Sequence, residues 1–308
     1  MKALLRRASG VQLCQIPVPD LVGPDDVRLR VLVAGLCRTD VQVAAGELPC
    51  AAPVVLGHEF AGVIDAVGPA AAGLRPGRLA AVQPVLGCGA CPLCRSGDEI
   101  NCPERTLLGV DRDGAFAEYA VVPARCVFVV PDAVGAQAAA YAEPVAAALG
   151  VLTADLPAGQ PGLILGRNRF STLLERLLAA HGFTDLTVCD PAAPDRPPAG
   201  AFAFAVETAL GPGSLETMLH AVRPRGVVVL KSRGPHGVAL PVSLALRKQA
   251  TIRAVNYGPF RRAVALLAEG RLDLSGLFGE THALEDFARV FRLCRADESA
   301  KRFFDPTR

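Results

Sequence analysis

The sequence predicts an α/β protein in two parts, an irregular β-rich half and a doubly wound parallel sheet. Three observations lead there. The length of 308 residues is enough for two domains. Over roughly the first 130 residues, short apolar runs alternate with Gly and Pro, the punctuation of short, mostly antiparallel strands. Beyond that, strand-like and helix-like runs alternate, which calls for parallel strands joined by helical crossovers.

The expected elements follow in chain order. Strands are expected at 27–33, 60–67, 78–83 and 116–121, each bounded by Gly or Pro. The Ala-rich stretch 138–152 reads as a helix. Next come a strand at 162–165, a helix at 172–181, strands at 185–189 and 202–206, a helix at 214–222 and a strand at 227–230. A helix at 240–247 and a strand at 250–255 close the sheet. Helices at 260–269 and 284–295 then return to the first part. No internal repeat is present, and the one low-complexity piece is "PAAPDRPPAG" at 191–200.

Composition excludes several classes. Charges nearly balance, at 32 basic and 30 acidic residues, so no nucleic-acid or membrane-surface partner is expected. No apolar run approaches the ~20 residues of a membrane helix. "MKALLRRASG" lacks a signal-peptide core, and the expectation is a cytoplasmic protein. Only four of the basic residues are Lys; with abundant Ala, Gly and Pro this reads as a GC-rich, bacterial coding sequence.

Cysteine placement is the sharpest signal. "CGACPLCRSGDEINC" sets Cys88, Cys91, Cys94 and Cys102 within one loop. Four thiolates so close can surround one Zn²⁺, and such a closed site is structural. An iron–sulfur cluster is the competing reading. Elsewhere "GLCRTD" (35–40) and "GHEFAGVIDAVG" (57–68) supply Cys37, His58 and Glu59, mixed ligands of the kind that leave a catalytic zinc one open position. Singly, Cys37 reads as core and His58 as a turn residue; beside the four-cysteine loop the metal reading prevails.

"GRNRFS" (166–171) lies between an apolar run and a helical one, the setting of a dinucleotide-binding G-x-G-x-x-G loop. Gly166 keeps the first glycine, Asn168 replaces the second and Ser171 the third. Asn168 can hold the turn by tolerating a left-handed backbone, and Ser171 can cap the following helix. Arg167 and Arg169 either pair with phosphate or are solvated. Asp190 stands where an acid binds the adenosine ribose, or it is a turn residue before Pro191.

These motifs, with "DGAFAEYAVVPA" (113–124) and "AEPVAAAL" (142–149), resemble the zinc-containing branch of the medium-chain dehydrogenase/reductase superfamily, closest to sorbitol, threonine and polyol dehydrogenases. The resemblance covers nearly the whole chain. It implies a GroES-like catalytic domain at 1–147 and 257–308, a Rossmann domain at 148–256, and a homodimer or homotetramer. It implies Cys37, His58 and Glu59 as zinc ligands, with Glu143 either a ligand or a holder of the zinc's water. Asp40 would orient the ligand histidine, and Thr39 would take the substrate proton. Two zinc ions per chain, NAD(H), and an alcohol or carbonyl substrate follow, with a pocket near 48–51, 110–116 and 256–260.

Three departures from that family pattern stand out. Two of the three loop glycines are replaced, by Asn168 and Ser171, so NAD(H) is expected to bind weakly. Segment 191–200 is too short for the family's next helix and strand, so the sheet should lack one edge strand. Its ten residues span roughly 33 Å when extended, enough to cross a neighbouring strand and return. Gln42 replaces a relay histidine and cannot titrate. The alternative reading is a relative that has weakened or lost nicotinamide use and performs non-redox or redox-neutral chemistry.

Overall fold

The computed structural model describes residues 1–232 and 237–308. The chain divides into two compact units. One comprises Met1–Pro144, Phe260–Gly270 and Phe278–Arg308; the other comprises Val145–Pro259 and Arg271–Leu277.

The first unit is built on one large sheet. Its strands run in the order Val127–Val129, Leu79–Val82, Glu59–Val67, Asp26–Gly35, Lys301–Phe304, Phe278–His282, and Tyr119–Pro123 also pairs with Asp26–Gly35. A three-stranded sheet joins Lys2–Arg7 to Gly10–Gln15 and Val54–Val55. The sequence reading missed these N-terminal strands and placed the fourth expected strand three residues early. It also gave only helices to the C-terminal segment, where Phe278–His282 and Lys301–Phe304 pair in parallel. Lys301–Phe304 is short and full of charge, so alternation could not reveal it; antiparallel pairing of Phe303 with Gly35 and Phe304 with Ala34 fixes it. The core gathers Leu4, Leu29, Phe60, Phe116, Phe291 and Phe304. Phe116 meets Phe304 edge-on at 5.0 Å between centroids.

The helix expected over 138–152 is two helices, Ala136–Ala140 and Ala142–Leu149. Pro144 explains the break: it has no N–H to donate and is tolerated only within a first turn, so a helix restarts two residues before it.

The second unit is an all-parallel five-stranded sheet in the order Leu186–Cys189, Gly162–Leu165, Phe202–Glu207, Val222–Leu230, Thr251–Ala254. Among the described residues no strand lies beyond Leu186–Cys189, so the edge strand is absent as expected. Helix Arg169–Ala180 buries Leu173, Leu174, Leu177 and Leu178, which share one face at i, i+1, i+4 and i+5. Each such leucine contributes about 1.5–3 kcal/mol relative to exposure. This face presses the helix on the sheet and sets its N-terminus at the carboxyl end of Gly162–Leu165, where doubly wound sheets bind ligands. Among the described residues no helix is long and apolar enough to cross a membrane.

Candidate metal centres and nucleotide loop

Strand Asp26–Gly35 leads into Cys37, which precedes helix Arg38–Ala44. Asp40, in the first turn of that helix, is fully buried and organises the site. Its carboxylate accepts the N–H of Cys37 at 2.9 Å and that of Gly57 at 3.2 Å, and lies 3.1 Å from His58 Nδ1. Two distant segments are thereby tied together, and the Nε2 side of His58 is left to ligate. Gly57 permits this turn: its φ is +94°, and a Cβ there would stand 2.6 Å from the Phe116 ring.

Ligand atoms of Cys37, His58 and Glu59 lie within 4.8 Å of one another. Burial works against charging His58, but Asp40 and Cys37 beside it hold its pKa well above the ordinary 6.5. A metal ion entering here displaces that proton. Replacing Asp40 by Asn is expected to weaken zinc binding at this site by about 10- to 100-fold, measured by chelator competition; unchanged affinity would remove Asp40 from this role.

The other expected residues fall nearby in sequence. Thr39 is half-buried at the second position of the helix. Gln42 is buried one turn on and lines a groove of about 290 Å³ with Arg38, Glu47, Arg295 and Glu298. Glu143 is buried in the first turn of Ala142–Leu149. Ala51 donates its N–H to the Val110 carbonyl at 2.8 Å, joining two segments expected to line the pocket.

Lys301 went unnoticed in the sequence. It is 1 % exposed and forms an ion pair with the Glu59 carboxylate. The pair occupies the space beside Gly35, where a Cβ would stand 2.6 Å from Lys301 Cε and 2.9 Å from Glu59 Oε2. One signal existed: in a chain so rich in Arg, all four lysines donate to defined partners. Lys301→Met is expected to cost metal-free protein about 3–5 kcal/mol, because Glu59 stays buried and unpaired. A bound cation should offset part of that loss; urea unfolding with and without chelator checks both statements.

In the four-cysteine loop all four sulfurs lie within 4.8 Å. Cys88 and Cys94 sulfurs are 4.0 Å apart, and those of Cys91 and Cys102 3.8 Å. Four ligands about 2.3 Å from a tetrahedral centre stand about 3.8 Å apart, so the geometry suits a single ion. The N–H groups of Ala90 and Cys91 bring the Cys88 thiol down to about 7. Desolvation, then the neighbouring sulfurs, push Cys94 up to about 12. Four thiolates cannot coexist here without a cation, and the donor set fits one.

The nucleotide loop follows strand Gly162–Leu165. Gly166 has φ +137°, and a Cβ would stand 2.1 Å from Thr208 Oγ1, so only glycine fits. Two expectations are corrected. Asn168 is extended (φ −149°), not left-handed, and it rather than Ser171 is the N-cap of helix Arg169–Ala180. Ser171 is buried at the third helical position, where its hydroxyl lies 2.8 Å from that of Thr208 and accepts the Asn168 N–H. Ser171 thus makes a hydrogen-bonded contact between the helix and the end of the neighbouring strand. Arg167 is exposed and Arg169 is half-buried at the helix start. Asp190 accepts the Ala192 N–H at 2.9 Å, the turn role, while the Gly166 N–H donates to Cys189 and keeps Asp190 beside the loop.

Comparison with known proteins decides the family. The alcohol dehydrogenase GroES-like domain family matches residues 23–132. L-threonine 3-dehydrogenase of Pyrococcus abyssi is 28% identical, with 96% of this chain and 95% of that protein covered. Galactitol 1-phosphate 5-dehydrogenase of Escherichia coli K12 is 27% identical over 95% and 96%. A solved structure from Sinorhizobium meliloti 1021, assigned as a zinc-binding dehydrogenase and bound to NADP, superposes with TM-score 0.86 at 27% identity, covering 99% of each chain. The chain belongs to the medium-chain dehydrogenase/reductase superfamily. Within that superfamily fold, this member carries both cysteine-containing donor sets and a loop with one glycine of three.

Proposed function

We propose that the chain is a zinc-dependent dehydrogenase that transfers a hydride between NAD(H) and a small alcohol, such as a polyol, or its carbonyl. The observation that carries this reading is the convergence of Cys37, His58 and Glu59, three donors of the kind that leave a zinc ion one open position. Residues 1–147 and 257–308 would be the catalytic domain and 148–256 the cofactor domain. Cys88, Cys91, Cys94 and Cys102 would hold a second, structural zinc. The redox-neutral alternative has no support in relatives that are named as dehydrogenases.

Cys37, His58 and Glu59 would hold zinc, which would supply the Lewis acidity that lets a substrate hydroxyl ionise near neutral pH. Thr39 accepts the hydroxyl proton. Asp40 holds His58 in one tautomer and keeps its ring oriented. Glu143 would either ligate the ion or hold its water. Gln42 hydrogen-bonds but carries no proton onward, so the proton leaves through water. Overall, alcohol and NAD⁺ give carbonyl, NADH and one proton.

The test is NADH formation, followed by absorbance, across a panel of sugar alcohols and short diols with zinc-loaded protein. Turnover that stops after dialysis against chelator and returns with zinc is the expected result. Turnover indifferent to chelation would end the zinc-dependent reading; no nicotinamide reduction or oxidation with any panel member would end the dehydrogenase reading.

A further inference from the structure

We infer that Asn168 is a plug in the nucleotide loop, holding the donors that a dinucleotide pyrophosphate would take and yielding them only by rotating away. The inference rests on the nicotinamide reading above, and on the superposing relative that is bound to NADP.

The backbone N–H groups at a helix N-terminus are the anion-binding element of this kind of loop. Here two of them, on Phe170 and Ser171, donate to Asn168 Oδ1 at 2.9 and 3.1 Å. The other end of the carboxamide is anchored as well: Nδ2 donates to the Thr208 carbonyl and hydroxyl, both at 3.3 Å. Ser171 completes the arrangement by accepting the Asn168 N–H. The side chain is thus fixed at both ends on the helix terminus.

A glycine at this position in the usual loop serves close approach of the backbone to the pyrophosphate. Asn168 does not need glycine's conformational freedom, because its backbone is extended. What the loop has lost is vacancy. Binding must therefore exchange an internal cap for the phosphate, and affinity falls by the strength of that cap.

NADH fluorescence titration of zinc-loaded wild type, Asn168→Gly, Asn168→Ala and Asn168→Asp tests this, with thermal melts to verify folding. A cap of ordinary strength corresponds to about five- to tenfold in affinity, so the Gly and Ala variants should bind that much more tightly. Asn168→Asp keeps the cap but sets a carboxylate against the phosphates, and should bind at least tenfold more weakly. Binding by Asn168→Gly alone, with none by wild type, would also support the plug. Equal affinity in wild type, Gly and Ala variants would overturn the plug and leave the nicotinamide reading standing. No binding by wild type or Asn168→Gly at millimolar NADH would overturn both.

Discussion

Cys94→Ala should lose one metal ion per chain and destabilise the fold by at least about 3 kcal/mol, a part of the ~10 kcal/mol or more that a structural zinc can supply. The reason is the loop's composition. Cys88 is exposed, Cys91 and Cys94 are partly exposed, and only Cys102 is buried. The helix Pro92–Arg95 has a single turn and no buried residue. Backbone N–H groups of Cys88, Cys91 and Cys94 point at neighbouring sulfurs, an arrangement that suits thiolates and leaves them mutually repelling without a cation. Thermal melts, metal analysis and limited proteolysis within 88–104 check the prediction. A variant that keeps both ions or melts with wild type would refute a structural role.

Cys37→Ala should behave in the opposite way. It removes one of the three candidate donors, so zinc should not be held at that site and kcat/KM should fall by about a thousandfold or more, roughly 4 kcal/mol of transition-state stabilisation. The fold should survive. Cys37 sits at the start of a helix whose first turn is fastened by Asp40 through the Cys37 backbone N–H, which alanine retains. Metal analysis should find two ions per chain in wild type and one in the variant, with a melting curve close to wild type. Full turnover with a single ion per chain would place the chemistry elsewhere.

These contrasting outcomes reflect how the two donor sets are encoded. Cys88, Cys91, Cys94 and Cys102 close one short loop, so their spacing alone brings their sulfurs together. Cys37 and His58 come from separate segments. Their meeting needed the pairing of Asp26–Gly35 with Glu59–Val67, in which Gly35 faces Glu59, and the bridge made by Asp40. The motifs were still readable, because each lies at the end of a strand with a recognisable local pattern.

By itself the sequence determined the alternation of strands and helices, the missing edge strand, the four-cysteine loop and the candidate ligands. All are matters of periodicity, chain length or spacing over a few residues. Tertiary structure alone decided two others. Lys301 reaches Glu59 because a C-terminal strand pairs with Asp26–Gly35 and Gly35 leaves room for the two side chains. Asn168 became a cap because Thr208, at the end of a neighbouring parallel strand, fixes the far side of its carboxamide. A buried charge or amide takes its partner from strand register, and register between segments remote in the chain is set by packing of the whole sheet.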